Sequence, residues 1–168
     1  MLKRLTLAAI TVGCMGTGAM AADLVVETPT APPVIDNSFT WDGAYIGAFL
    51  QGQTAPAAFG LGVDFGVNAL MSNFVIGGEL ELVAATGPNF SGQGTAHFGG
   101  MINDSAMLYA YTGLGTRTPT SWYVPLGVGV EFAVASNMGI KAEAQYNFDL
   151  TSSAQNSAAI KVGLNWHF

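Results

Sequence analysis

Charge is scarce: only 10% of the 168 residues are Asp, Glu, Lys or Arg, against roughly a quarter in an ordinary soluble domain. Cations are scarcer still, five against 11 acids. Nucleic acid is therefore excluded as a partner, since phosphate binding needs clustered Lys and Arg. Cysteine occurs once, at Cys14, too few for a disulfide framework. Past residue 22 no run approaches the ~18 apolar residues that a membrane helix needs. Yet 50% of the chain is apolar and the mean hydropathy is +0.39, which excludes a disordered chain. What remains is a chain that hides apolar residues one at a time, on strands alternating between lipid and an interior.

The first 21 residues read as a signal peptide. Lys3 and Arg4 form a positive start, Leu5 to Met20 an apolar and small-residue segment, and Ala19-Met20-Ala21 a small-x-small cleavage site. Cys14 lies inside this segment, and Thr11-Val12-Gly13 ahead of it is a poor lipoprotein signal. The expected mature chain has no thiol, and its three cations face 11 acids, a net charge of −8. Residues 22–38 carry Pro29, Pro32 and Pro33 and read as an extended periplasmic lead-in. The barrel is expected over 39–168.

From Trp41 onward one signal repeats. Phe59, Leu61, Val63, Phe65, Val67, Ala69 and Met71 alternate with Gly60, Gly62, Asp64, Gly66 and Asn68. This is period two over thirteen residues, which a helix has no way to present. The same alternation runs through 74–86, 122–134, 140–148 and 158–168. It is weaker over Thr95–Ile102 and Met107–Thr116, where Phe98, Ile102, Leu108, Ala110 and Leu114 are expected outward and His97, Tyr109 and Tyr111 inward. In the opening strand, Trp41 to Gly52, both faces are apolar or small; Ala44, Ile46, Ala48 and Leu50 are expected outward with Tyr45 inward.

Eight strands of this length suit a tilted bilayer crossing and are the smallest number that closes with side chains filling the interior. Closure matters because an open edge in lipid strands unpaired N–H and C=O groups. The fold class is thus all-β, an eight-stranded antiparallel up-and-down transmembrane barrel. Tight turns are expected at Ser72-Asn73, 103–106 and 135–137, on the periplasmic side. Longer loops are expected at 53–58, 87–94, 117–121 and 149–157, on the outside. A soluble barrel with its apolar face inward fails, because so few charges, opposite the aliphatic rows, could not solvate its outer surface. Trp122, Phe59 and Phe148 at one end and Phe74, Phe132, Trp166 and Phe168 at the other form two interfacial girdles.

Trp41-Asp42-Gly43-x-Tyr45-x-Gly47 resembles the start of the small outer-membrane β-barrel family of Gram-negative bacteria, the opacity-protein and porin-like group related in shape to the OmpA membrane domain. Leu126 to Phe132 and Lys141-Ala142-Glu143-x-x-Tyr146 resemble that family's late strands. Lys161 to Phe168 resembles its terminal strand. The resemblance covers Phe39 to Phe168 and implies an outer-membrane location. It also implies that the outer-membrane assembly machinery recognises the C-terminal Phe168. The short outer loops depart from the family and weaken any carry-over of adhesin or ligand-binding roles.

No catalytic, cofactor-binding or metal-binding residue is assigned. His97 and His167 are expected at different depths, His97 nearer the outer half, where they would not converge on a metal or haem. Ser91 and Ser121 lie at the outer rim with no histidine placed to activate them. The recurrent glycines read as room in a narrow lumen. Inward charge is unbalanced: Asp64, Glu79, Glu81, Glu131 and Glu143 against Lys141 and Lys161. Lys141 is expected to pair with Glu131 opposite it. The cation-poor group of Asp64, Glu79 and Glu81 should draw in a proton, or a cation and water, and tolerate Glu81→Gln. The functional expectation is a structural outer-membrane protein for envelope integrity or surface contact, with lipid as its partner and no catalysis. A narrow pore for ions or very small solutes is the alternative.

Overall fold

The computed structural model describes residues 39–168 except 56, 88, 120 and 152–154. The expected leader and Pro-rich lead-in lie outside the described residues. Eight strands follow one another: β1 (Gly43–Thr54), β2 (Ala57–Met71), β3 (Phe74–Ala85), β4 (Asn89–Asn103), β5 (Ala106–Arg117), β6 (Ser121–Ala135), β7 (Met138–Asp149) and β8 (Ser157–His167). Each pairs antiparallel with the next, and β1 pairs with β8, so the sheet closes into a barrel. The tight connections 72–73, 104–105 and 136–137 share one end with the start of β1 and the finish of β8. We call this the turn end, and the opposite one the loop end.

Alternation sets the two faces. Leu82 is 65% exposed on the outer face of β3, while Lys161, inward on β8, is fully buried. The outer wall carries Leu50, Leu61, Leu80, Phe98, Leu126 and Ile160. It is the inverse of a soluble protein. The ambiguous first strand follows the expected sense, with Ile46 and Leu50 outside and Tyr45 and Phe49 inside. The β2–β3 hairpin places Met71 opposite Phe74 and Asp64 opposite Glu81. Its two-residue turn puts Ser72 at φ 62°, as the first central residue of a type II′ turn requires.

The glycines have a defined use. Tyr45, Phe49, Tyr109, Tyr111 and Tyr123 point inward, and each is paired directly with a glycine: Gly66, Gly62, Gly129, Gly127 and Gly115 respectively. A Cβ at any of these glycines would run into the ring lying across it. Rings therefore lie flat along the wall, and a narrow barrel holds five of them.

Three details differ from the sequence expectation. β4 begins at Asn89 instead of Thr95, because Ser91-Gly92-Gln93-Gly94 lacks apolar contrast yet pairs with β3 and β5. The loops at the loop end shrink accordingly. Trp41 precedes β1 and folds into the turn-end mouth, where it is 2% exposed and its Nε1 donates to the Asp104 carbonyl at 3.3 Å. Pairing of β5 with β6 skips Gly113 and Leu114 opposite Val124 and Pro125. Pro125 has no N–H to give the ladder; the Thr112 hydroxyl donates instead to its carbonyl at 2.9 Å.

Candidate functional site: the filled lumen

The inward residues form successive layers. At the turn end the rings of Phe39, Trp41, Tyr45 and His167 meet, with Phe39 4.6 Å from Trp41 and 4.7 Å from His167, and Tyr45 stacked on His167 at 5.3 Å. His167 Nε2 lies 2.8 Å from Glu131 Oε1, and Asn165 Nδ2 donates to the other Glu131 oxygen at 2.9 Å.

Two lysines occupy the middle. Lys141 Nζ lies 2.9 Å from Asp64, 3.1 Å from Glu79 and 3.8 Å from Glu143. Lys161 donates to both oxygens of Glu81, one at 2.7 Å, and lies 3.2 Å from Glu143. The Phe49 ring lies 5.4 Å from the Lys141 ammonium and 5.3 Å from that of Lys161, within cation–π range of both. Tyrosines complete the carboxylates: Tyr45 donates to Glu79 at 2.6 Å and Tyr109 to Glu143 at 2.7 Å.

Amides close the next layer. Gln93 and Gln145 exchange two hydrogen bonds, each 3.1 Å, from opposite walls. Tyr123 donates to Gln93 at 3.2 Å and Gln145 to Asn147 at 2.6 Å. Above them a cup with a cavity of about 60 Å3, lined by Gln51, Gln53, Gln93, Arg117 and Asn147 among others, opens at the loop end. That volume holds a few waters. At its rim Arg117 pairs with Asp149 at 3.0 Å and covers the Tyr123 ring at 4.8 Å.

Several expected partnerships change. Glu131 and Lys141 are opposite one another in register, but Lys141 reaches across the lumen to Asp64 and Glu79, and Glu131 turns to His167 and Asn165. The group thought poor in cations thus receives both lysines, and Glu81→Gln would strip a partner from Lys161. The sequence holds the charges but not the side-chain reach that decides this. His97 lies toward the turn end, paired with Gly77, with its Nε2 2.7 Å from Asn68 Oδ1, not in the outer half as expected. The two imidazoles bond to Asn68 and Glu131. Ser121 is buried and bonds directly to Asp149 at 2.7 Å. Glu79, Glu81 and Glu143 bring carboxylate oxygens within 4.8 Å of one another, but the two lysines already occupy them.

A closed sheet with lipid-compatible residues outside and every interior charge sealed is a membrane-spanning barrel, and with eight strands it falls in the class of small outer-membrane β-barrels. Neither a protein-family model nor a curated protein matches the chain. Solved structures do. A de novo designed transmembrane β-barrel aligns over 78% of this chain and 99% of its own, with 11% identity and a TM-score of 0.58. Ail, the attachment invasion locus protein of Yersinia pestis, aligns over 76% and 99%, with 14% identity and a TM-score of 0.57. The outer-membrane enzyme PagL aligns over 74% and 99%, with 10% identity and a TM-score of 0.51. At these identities the likeness is one of fold, and that fold hosts an attachment protein, an enzyme and a design alike.

Proposed function

We propose that the protein is a structural element of the outer membrane that supports envelope integrity or offers a surface contact, without catalysis. The observation that carries this reading is the lumen, filled by paired side chains from the turn-end rings to the Gln93–Gln145 bridge. A pore needs a continuous water path. The loop-end connections 55–56, 86–88, 118–120 and 150–156 are only two, three, three and seven residues long, which favours a role of the barrel itself over a large binding surface. The turn end faces the periplasm, and a leader ending near Ala21 exports the chain.

Phe168, 74% exposed at the turn end beside Trp166, serves as the terminal signal for the assembly machinery. Deleting it should lower the amount of assembled barrel more than the amount synthesised; equal assembly contradicts this role. The functional reading is tested by deleting the gene in its native host. Entry of a large antibiotic or detergent should rise, and re-expression should restore the barrier. An unchanged barrier together with unchanged surface adhesion would reject it.

A further inference from the structure

Asn165, Gly47 and Asp64 stand in one inward row across β8, β1 and β2, with Gly47 paired directly to both neighbours. Gly47 has no side chain, and Asp64 Oδ1 and Asn165 Oδ1 converge on the position that a Cβ there would take. Two acceptor oxygens thus meet in a sealed place, Asp64 being 2% and Asn165 1% exposed. Among the described residues, none gives a hydrogen bond to either Asp64 oxygen or to Asn165 Oδ1.

The neighbouring carboxyls are all served. Glu79 accepts from Tyr45 and Lys141, Glu81 from Lys161, Glu131 from Asn165, and Glu143 from Tyr109 and Tyr111. Lys141 Nζ is 2.9 Å from Asp64 Oδ2, yet it directs its N–H at Glu79. Charge points the same way. Apart from the Arg117–Asp149 pair at the rim, five inward carboxyls face Lys141 and Lys161, and acids stay in excess even with His97 and His167 both charged. An ionised Asp64 would set a sealed anion against an amide oxygen with no donor between them. Turning the Asn165 amide round only moves the conflict. Its Nδ2 donates to Glu131 at 2.9 Å; reversed, its oxygen would meet that carboxylate instead.

We infer that Asp64 is a neutral acid whose Oδ1 carries a hydrogen and donates it to Asn165 Oδ1, the proton being taken up as the barrel closes. This hydrogen joins two networks that otherwise end at opposed acceptors. On one side Asn165 and His167 hold Glu131; on the other Lys141 and Tyr45 hold Glu79. Lys141 stays against Oδ2, the carbonyl oxygen of the acid, and its charge serves Glu79 and Glu143.

The test is infrared spectroscopy of the full chain refolded in detergent near pH 7. Wild type should show the carbonyl stretch of a protonated carboxyl. Labelling aspartate with 13C should shift that band and labelling glutamate should not, a readout that needs no variant to fold. The band should be lost in Asp64→Asn and kept in Glu131→Gln, which separates this assignment from a reversed Asn165 with the proton on Glu131. Asp64→Asn, whose Nδ2 can donate to Asn165 Oδ1, should unfold at the wild-type temperature or above it. Asp64 is faced by Tyr45 from β1, Glu79 and Glu81 from β3, and Lys141 and Glu143 from β7. Through Asn165 it also meets Glu131 of β6, and the same β8 carries Lys161 and His167 inward. Both proteins share these groups, so the difference between their midpoints reads Asp64. It should grow in favour of the variant between about pH 6 and 9, because only folded wild type must hold a proton that the unfolded chain releases. Absence of the band, a band moved by labelled glutamate, or a midpoint difference that does not change with pH overturns the assignment.

Discussion

The turn end of the lumen is stopped by rings and shared charges, and the loop end by amides. At the turn end Trp41, Tyr45 and His167 pack over Glu131, and beyond them Lys141 joins carboxylates from β2, β3 and β7. At the loop end Gln93, Gln145 and Asn147 make neutral hydrogen bonds beneath a small open cup. A neutral amide that loses its partner can exchange it for water from that cup. A buried ammonium among carboxylates has no such substitute. Both closures tie non-neighbouring strands together, but they differ in kind: the charged one has no substitute for its partners, and the amide one is a replaceable stopper.

Breaking the charged closure should cost most. Lys141→Met leaves Asp64 and Glu79 without their cation and should destabilise the barrel by about 3–5 kcal/mol, read by urea unfolding in detergent. Glu81→Gln should shift the same way by less, since Lys161 keeps Glu143 at 3.2 Å; a neutral or stabilising result would contradict the ion pairing described here. Trp41→Ala empties the centre of the plug and should cost about 3 kcal/mol by the same assay. Gln145→Leu at the amide bridge should cost only about 1 kcal/mol; a loss as large as that of Lys141→Met would erase the distinction between the two ends. Ser72→Gly should raise stability by no more than about 0.5 kcal/mol, relief at positive φ being largely offset by a more flexible unfolded chain. Its thermal midpoint in detergent should rise slightly.

The wall was more legible than the filling. Period-two alternation fixes which face each residue takes, because a slip of one residue would turn every Leu inward. The Ser72-Asn73 turn likewise fixes Asp64 opposite Glu81. Strand ends were harder to read where glycine and polar residues erase the contrast, as at Ser91 to Gly94. The lumen partners were hidden for another reason. Lys141 on β7 meets Asp64 on β2 and Glu79 on β3, and only closure of the sheet brings those strands face to face. The pairing of inward rings with glycines was open to discovery: once the register is set, Tyr109 meets Gly129 and Tyr111 meets Gly127. Trp41 carried no strand signal that distinguished a plug from a first residue of β1.

The most direct test of the sealed lumen is single-channel recording of the refolded protein in a planar bilayer. Membranes into which the barrel has demonstrably inserted should show no discrete conductance steps in wild type. Trp41→Ala should stay silent too, because the lysine layers and the Gln93–Gln145 bridge still block the path. Reproducible openings of the wild-type barrel, cation-selective and weakened by neutralising Glu79 and Glu81, would contradict the account and establish a pore.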